Sequence, residues 1–258
     1  MTISEFVGCA CIAYGPLLAM FVFTIMQDPI RIIILIAAAF FWLVSLLLSS
    51  VFWFILPLKN TLIFGVVMSV LFQEFFRYLI YRLLRKAEAG LKKVSVPDTN
   101  IEITNNKHVL AYVAGLGFGT MSGAFALVNV LADISGPATM GLKGSSSLFT
   151  IISAVLTSCF VLLHTFWGVI FFNAIDTHNH MQLAWVVGSH LLVSSVTLFN
   201  SRMLYFSSVI PAITVLVCSA YMAFMICGGS CRKCKVVCGR GGGGAQGDVT
   251  PSPSNSAT

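Results

Sequence analysis

Four residues able to carry charge interrupt otherwise apolar stretches of this chain: Glu74, Arg77, His164 and His190. Glu74 and Arg77 stand at i, i+3, a spacing that on a helix brings carboxylate and guanidinium onto one face and permits an internal ion pair. Arg77 also lies toward one end of its stretch, where a long side chain can snorkel to the boundary while neutralising Glu74. His164 and His190 flank a short polar connection, Thr177 to His180, at about 10 to 13 residues from it, so on two antiparallel helices both reach nearly the same depth. Two readings follow. Each imidazole is satisfied separately by a backbone carbonyl or a hydroxyl such as that of Ser194, or the two share one polar site.

Several enzyme chemistries can be set against these residues. One glutamate and two histidines could ligate zinc, but they come from three separate stretches and neither histidine lies in a His-Glu-x-x-His run. Ser122, beside glycines, could act as a nucleophile with His164 or His190 as base; it also fits as one more small packing residue. A membrane aspartyl protease needs two intramembrane aspartates sharing a proton. Asp28, Asp98, Asp133, Asp176 and Asp248 all fall in loops, tails or at the edges of apolar runs, which excludes that reaction on this chain alone. Cys227, Cys231, Cys234 and Cys238 are spaced irregularly for zinc and suit reversible palmitoylation or free thiols. No catalytic residue, metal ligand or cofactor is expected.

The elements that hold these residues follow from composition. Of 258 residues, 57% are hydrophobic and 9% charged, with a mean hydropathy of +0.92, too little charge to cover a water-soluble surface. A spanning helix needs about 20 mostly apolar residues. Seven runs qualify: residues 3–26, 31–56, 61–84, 109–131, 148–175, 181–201 and 203–227. The first reads as a retained span, since it has no basic leader region. Gln27-Asp28-Pro29, the hairpin Pro57 to Asn60 and Ser135-Gly136-Pro137 divide the runs. The expected fold is therefore all-α, a seven-helix transmembrane domain over residues 1–238, with a disordered Gly-rich and then Pro/Ser-rich cytosolic tail over 239–258.

The basic residues lie between apolar runs and report topology, not nucleic-acid binding. The loop from Arg82 to Lys107 and the segment from Arg232 to Arg240 carry most of them and fall on one side only if the span count is odd. This places the N-terminus in the lumen or outside the cell and the C-terminus in the cytosol. Cys9, Cys11, Cys159 and Cys218 lie inside apolar runs, so no disulfide framework is expected. In the fourth span Gly115, Gly119 and Gly123 advance about 40° of helix rotation per step and form one bare stripe, against which a neighbouring helix can pack closely.

The order of several short motifs resembles the anterior pharynx defective family, the seven-span scaffold subunit of γ-secretase. Gly8-Cys9-Ala10, Gly15-Pro16 and Phe23-Thr24-Ile25 match its first span. Pro29, Arg31-Ile32-Ile33 and the run from Ala39 to Leu46 match the second, and Gln73-Glu74 with Phe76-Arg77 the third. The glycine stripe, Leu163-His164 with Phe166-Trp167-Gly168, the run from His190 to Ser194, and Gly228 to Arg232 complete the resemblance, which covers about residues 3 to 235. The short hairpin at Pro57 to Asn60 and the Gly-rich ending depart from it.

The resemblance implies a non-catalytic scaffold that assembles with presenilin, nicastrin and the presenilin enhancer subunit, with presenilin supplying the catalytic aspartates. It implies support of presenilin maturation and of cleavage of single-span proteins such as Notch and amyloid precursor protein. Residence in the endoplasmic reticulum, Golgi and plasma or endosomal membranes comes with it. It further implies that the glycine stripe supports assembly and that His164 and His190 line a polar cavity helping to hold presenilin. Two other functions compete. A seven-helix receptor shares the topology, but the third span lacks an acidic-Arg-Tyr triplet and the seventh lacks Asn-Pro-x-x-Tyr. An intramembrane hydrolase would use Glu74, His164 and His190.

Overall fold

The computed structural model describes residues 3–55, 62–94, 107–135, 147–202 and 205–229. The described residues form seven α-helices: α1 (Ile3–Thr24), α2 (Pro29–Ile55), α3 (Leu62–Val94), α4 (Lys107–Ser135), α5 (Ser147–Asp176), α6 (His180–Val196) and α7 (Tyr205–Ile226), with a 3-10 turn over Thr197–Arg202. Each helix, α6 together with the 3-10 turn that continues it to Asn200, is long and apolar enough to cross a membrane, and no strand occurs among the described residues. The protein is a multi-pass α-helical membrane protein. The described residues up to Cys227 form one compact unit, and of the unit beginning at Gly228 only Gly228 and Gly229 are described. The hairpin Pro57 to Asn60, the loop after Ser135, Cys231, Cys234 and Cys238, and the tail 239–258 lie outside the described residues.

Large apolar side chains on the outer faces, among them Phe23, Ile33, Phe40, Leu47, Phe54 and Phe206, are more than half exposed. A soluble protein could not carry such a surface, whereas hydrocarbon solvates it without cost. The interior is organised around α5. In its apolar stretch 72% of residues are buried, against 56% in α4 and 17 to 28% in the other spans. The most extensive contact in the bundle is between α4 and α5, and α1, α6 and α7 also pack on α5, while α2 bridges α3 and α4.

Helix ends are fixed by local chemistry. Asp28 caps α2 by accepting from the Ile30 amide at 3.0 Å, with Pro29 at the first helical position, where its missing N–H is no loss. Arg31, ion-paired to Asp28 at 3.1 Å, reaches back to the Thr24 carbonyl at 2.7 Å and satisfies the end of α1. The α5–α6 turn closes with His178 in the left-handed region (φ 53°), the His178 amide donating to Ile175 and the Asn179 amide to Ala174 at 2.8 Å. Asn179 then caps α6 through the amides of Met181 and Gln182.

Two elements differ from their expected extents. The stretch after Leu84, the expected end of the third span, stays helical through Val94, so α3 runs 33 residues, about 50 Å, and outlasts the hydrocarbon. Charge does not stop a helix: Arg85 pairs with Glu88 at 2.9 Å one turn on, and Arg85 and Tyr81 both bond Asp176 at the end of α5. The sixth span, expected to residue 201, is α-helical only to Val196. Thr197 turns its hydroxyl onto the Ser194 carbonyl at 2.7 Å as the chain tightens into the 3-10 turn.

Candidate functional site

The glycine stripe lets backbone meet backbone at the centre of the bundle. A Cβ built on Gly115 would stand 2.8 Å from the carbonyl oxygens of His164 and Thr165, and one on Gly119 would stand 2.5 Å from that of Val161. On Gly123 it would meet the Val161 side chain at 2.6 Å. The stripe therefore faces α5, within the chain. Two further glycines extend the arrangement. Gly168 of α5 faces Gly115, where an added Cβ would lie 2.8 Å from the Gly115 Cα, and Gly117 turns the opposite way onto the Leu35 carbonyl of α2 at 2.5 Å. Their spacing on their own helices gives no sign of either contact, which depends on how the helices are rotated against one another.

This close approach brings four charged or ionisable side chains from α3, α5 and α6 into one buried cluster. Glu74, Arg77, His164 and His190 are 6%, 1%, 1% and 2% exposed. Arg77 grips the Glu74 carboxylate with Nε at 3.1 Å and Nη2 at 3.3 Å. Its Nη1 donates to the His164 carbonyl at 3.2 Å, and Nη2 lies 2.9 Å from His164 Nδ1. Arg77 also sits over the Phe118 ring of α4 at 5.1 Å. His190 Nδ1 lies 2.7 Å from Glu74 Oε1. Arg77 is thus held inside the bundle and does not snorkel.

The donor inventory fixes both tautomers. A guanidinium only donates, so His164 Nδ1 accepts and that ring carries its proton on Nε2. A carboxylate only accepts, so His190 Nδ1 donates. One anion and one cation cancel inside the hydrocarbon depth, where an isolated charge is expensive. The imidazoles stand 5.1 Å apart, and Trp167 packs against both, 4.6 Å from His190 and 5.5 Å from His164 between ring centroids. Trp167 is fully buried and its indole N–H has no acceptor among the described residues. Its place one turn after His164 is the only sequence signal that it joins the cluster.

The geometry bears on each competing chemistry. Arg77 bonds both the Glu74 carboxylate and His164 Nδ1, so a cation already stands where zinc would have to bridge them. Among the described residues, no three His, Cys, Asp or Glu side chains are grouped to hold a metal. Ser122 is half-buried on α4 and bonds neither histidine, whose Nδ1 atoms are committed to Arg77 and Glu74. Asp28 and Asp176 sit at helix ends, each tied to an arginine.

These features define a polytopic helical membrane protein whose polar core is neutralised from within. Residues 4–230 match the family described as Aph-1 protein. The chain is 57% identical over 233 residues to the γ-secretase subunit Aph-1 of Drosophila melanogaster, covering 90% of this chain and 97% of that one. It is 50% identical to the γ-secretase subunit Aph-1b of Danio rerio and 46% identical to the γ-secretase subunit APH-1B of Homo sapiens, each over 246 residues, 92% of this chain and 93% of the relative. The chain belongs to the Aph-1 family.

Proposed function

We propose that this chain is a non-catalytic subunit of a γ-secretase complex and acts as its membrane scaffold. The observation that carries this reading is the hydrogen-bond chain from His164 through Arg77 and Glu74 to His190, which commits both buried charges and both imidazole Nδ1 atoms to partners within the chain. A protease needs an activated water or nucleophile. The placed aspartates and Ser122 supply neither here. Catalysis then falls to another chain, and the resemblance names presenilin, with nicastrin and the presenilin enhancer subunit as the remaining partners. The basic side chains favour a lumenal or extracellular N-terminus and a cytosolic C-terminus, with residence in the endoplasmic reticulum, Golgi and plasma or endosomal membranes.

In this reading the glycine stripe serves assembly indirectly, by holding α4 on α5, and the histidines fix the relative positions of α3, α5 and α6 that a partner meets. A mild-detergent pull-down of the full-length chain with mass-spectrometric identification tests the proposal. Recovery of a membrane protease with two intramembrane aspartates and of a large glycoprotein supports it. A lone chain that hydrolyses a peptide bond in a clean vesicle overturns it.

A further inference from the structure

A groove of about 660 Å³ opens on the outer side between α2 and α3, lined by Phe41, Leu79, Leu83, Arg82, Arg85 and Lys86. Its level is set by Arg85, which bonds Asp176, the last residue of α5, so this end of the groove lies where the helices leave the hydrocarbon. Leu79 and Arg82 stand about 9 and 4.5 Å deeper along α3, and Phe41 sits beside Phe76 at 6.1 Å, deeper still. The groove is therefore apolar at depth and basic at the boundary, the polarity profile of a phospholipid.

The three basic groups are not equally committed. Arg85 is neutralised by Glu88 and Asp176, yet its buried Nε–H has no acceptor among the described residues. Arg82 donates only to the Tyr78 hydroxyl at 3.0 Å, and its guanidinium lies over that ring at 5.9 Å. Lys86, one turn on, has no acidic partner among the described residues. Two exposed cations at i, i+4 with an apolar trough beside them leave a net positive charge with no counter-ion among the described residues.

The geometry points to a binding site for an anionic phospholipid, its phosphate held by Arg82 and Lys86, and an acyl chain lying along Leu83, Leu79 and Phe41. Charge complementarity selects the anionic headgroup, and the apolar trough selects a lipid over free phosphate. The site is independent of the histidine cluster and of the proposed scaffold role.

Native mass spectrometry of the full-length protein, released from nanodiscs of phosphatidylcholine doped with phosphatidylserine, reads the site directly. The wild type retains phosphatidylserine. R82Q/K86Q retains about twenty-five-fold less, each cation contributing about fivefold, and R82K/K86R restores retention. Both positions are exposed, so the variants fold. Equal retention by R82Q/K86Q, equal retention of phosphatidylcholine, or displacement by inorganic phosphate alone overturns the proposal. So does finding that a photo-crosslinker at Lys86 captures only protein.

Discussion

Arg77 Nη2 and His164 Nδ1 lie 2.9 Å apart across α3 and α5, and because the guanidinium has no lone pair, the imidazole must accept. The ring proton of His164 is thereby placed on Nε2, while Glu74 places that of His190 on Nδ1. Imidazole nitrogen shifts from histidine-labelled protein in lipid check this pair of opposite tautomers. Identical tautomers at the two sites would refute the hydrogen-bond assignment.

Removing Arg77 leaves the Glu74 carboxylate buried without its counter-charge, held only by the His190 Nδ1–H. R77M is expected to cost about 3–5 kcal/mol, measured as a fall in the thermal midpoint of the purified protein. E74M/R77M removes both charges and loses much less. A double variant as unstable as R77M would show that the two side chains are not coupled.

Adding a methyl group to the stripe forces α4 off α5. G119A drives a Cβ to 2.5 Å from the Val161 carbonyl and is expected to cost about 1–3 kcal/mol. G188A, with nothing within 4 Å of its Cβ, is neutral or gains up to about 1 kcal/mol from helix propensity. Comparing the two variants by thermal unfolding separates steric conflict from any general effect of altering a glycine.

His178 holds φ at 53°, a region costly for a residue with a Cβ. H178G is expected to stabilise the α5–α6 turn by about 0.5–1 kcal/mol, and H178V to destabilise it by at least as much. Thermal midpoints decide, and a loss of stability in H178G would show that the imidazole contributes something there beyond its backbone.

The projecting end of α3 is held by Asp176, which Tyr81 and Arg85 both contact. D176A is expected to speed amide exchange from Arg82 to Gly90 about fivefold, as loss of a partly exposed pair worth about 1 kcal/mol implies. Unchanged exchange would assign the order of this segment to its own helix propensity.

Length and hydropathy sufficed to read seven spans, because a run such as Pro29 to Ile55 has no other use for so many apolar side chains. The i, i+3 spacing of Glu74 and Arg77 and the shared depth of His164 and His190 were likewise legible, since both are properties of a single helix or of a short turn. The link from Glu74 to His190 was not. It depends on the rotation of α3 against α6, which no spacing along the chain encodes. Gly168 and Trp167 stayed hidden for the same reason. The continuation of α3 past Leu84 was missed because hydropathy reports where lipid ends, and a helix laced with its own ion pairs continues into water.

Gly115 and Gly168 meet with no side chain on either surface, and this closes a route that most core contacts leave open. Where a large residue faces a small one, enlargement of one can be compensated by shrinkage of the other. Here neither partner has anything to give up. Drift at this crossing must therefore stall at both positions together, while the oily outer faces of α1 and α7 remain free to exchange one aliphatic residue for another.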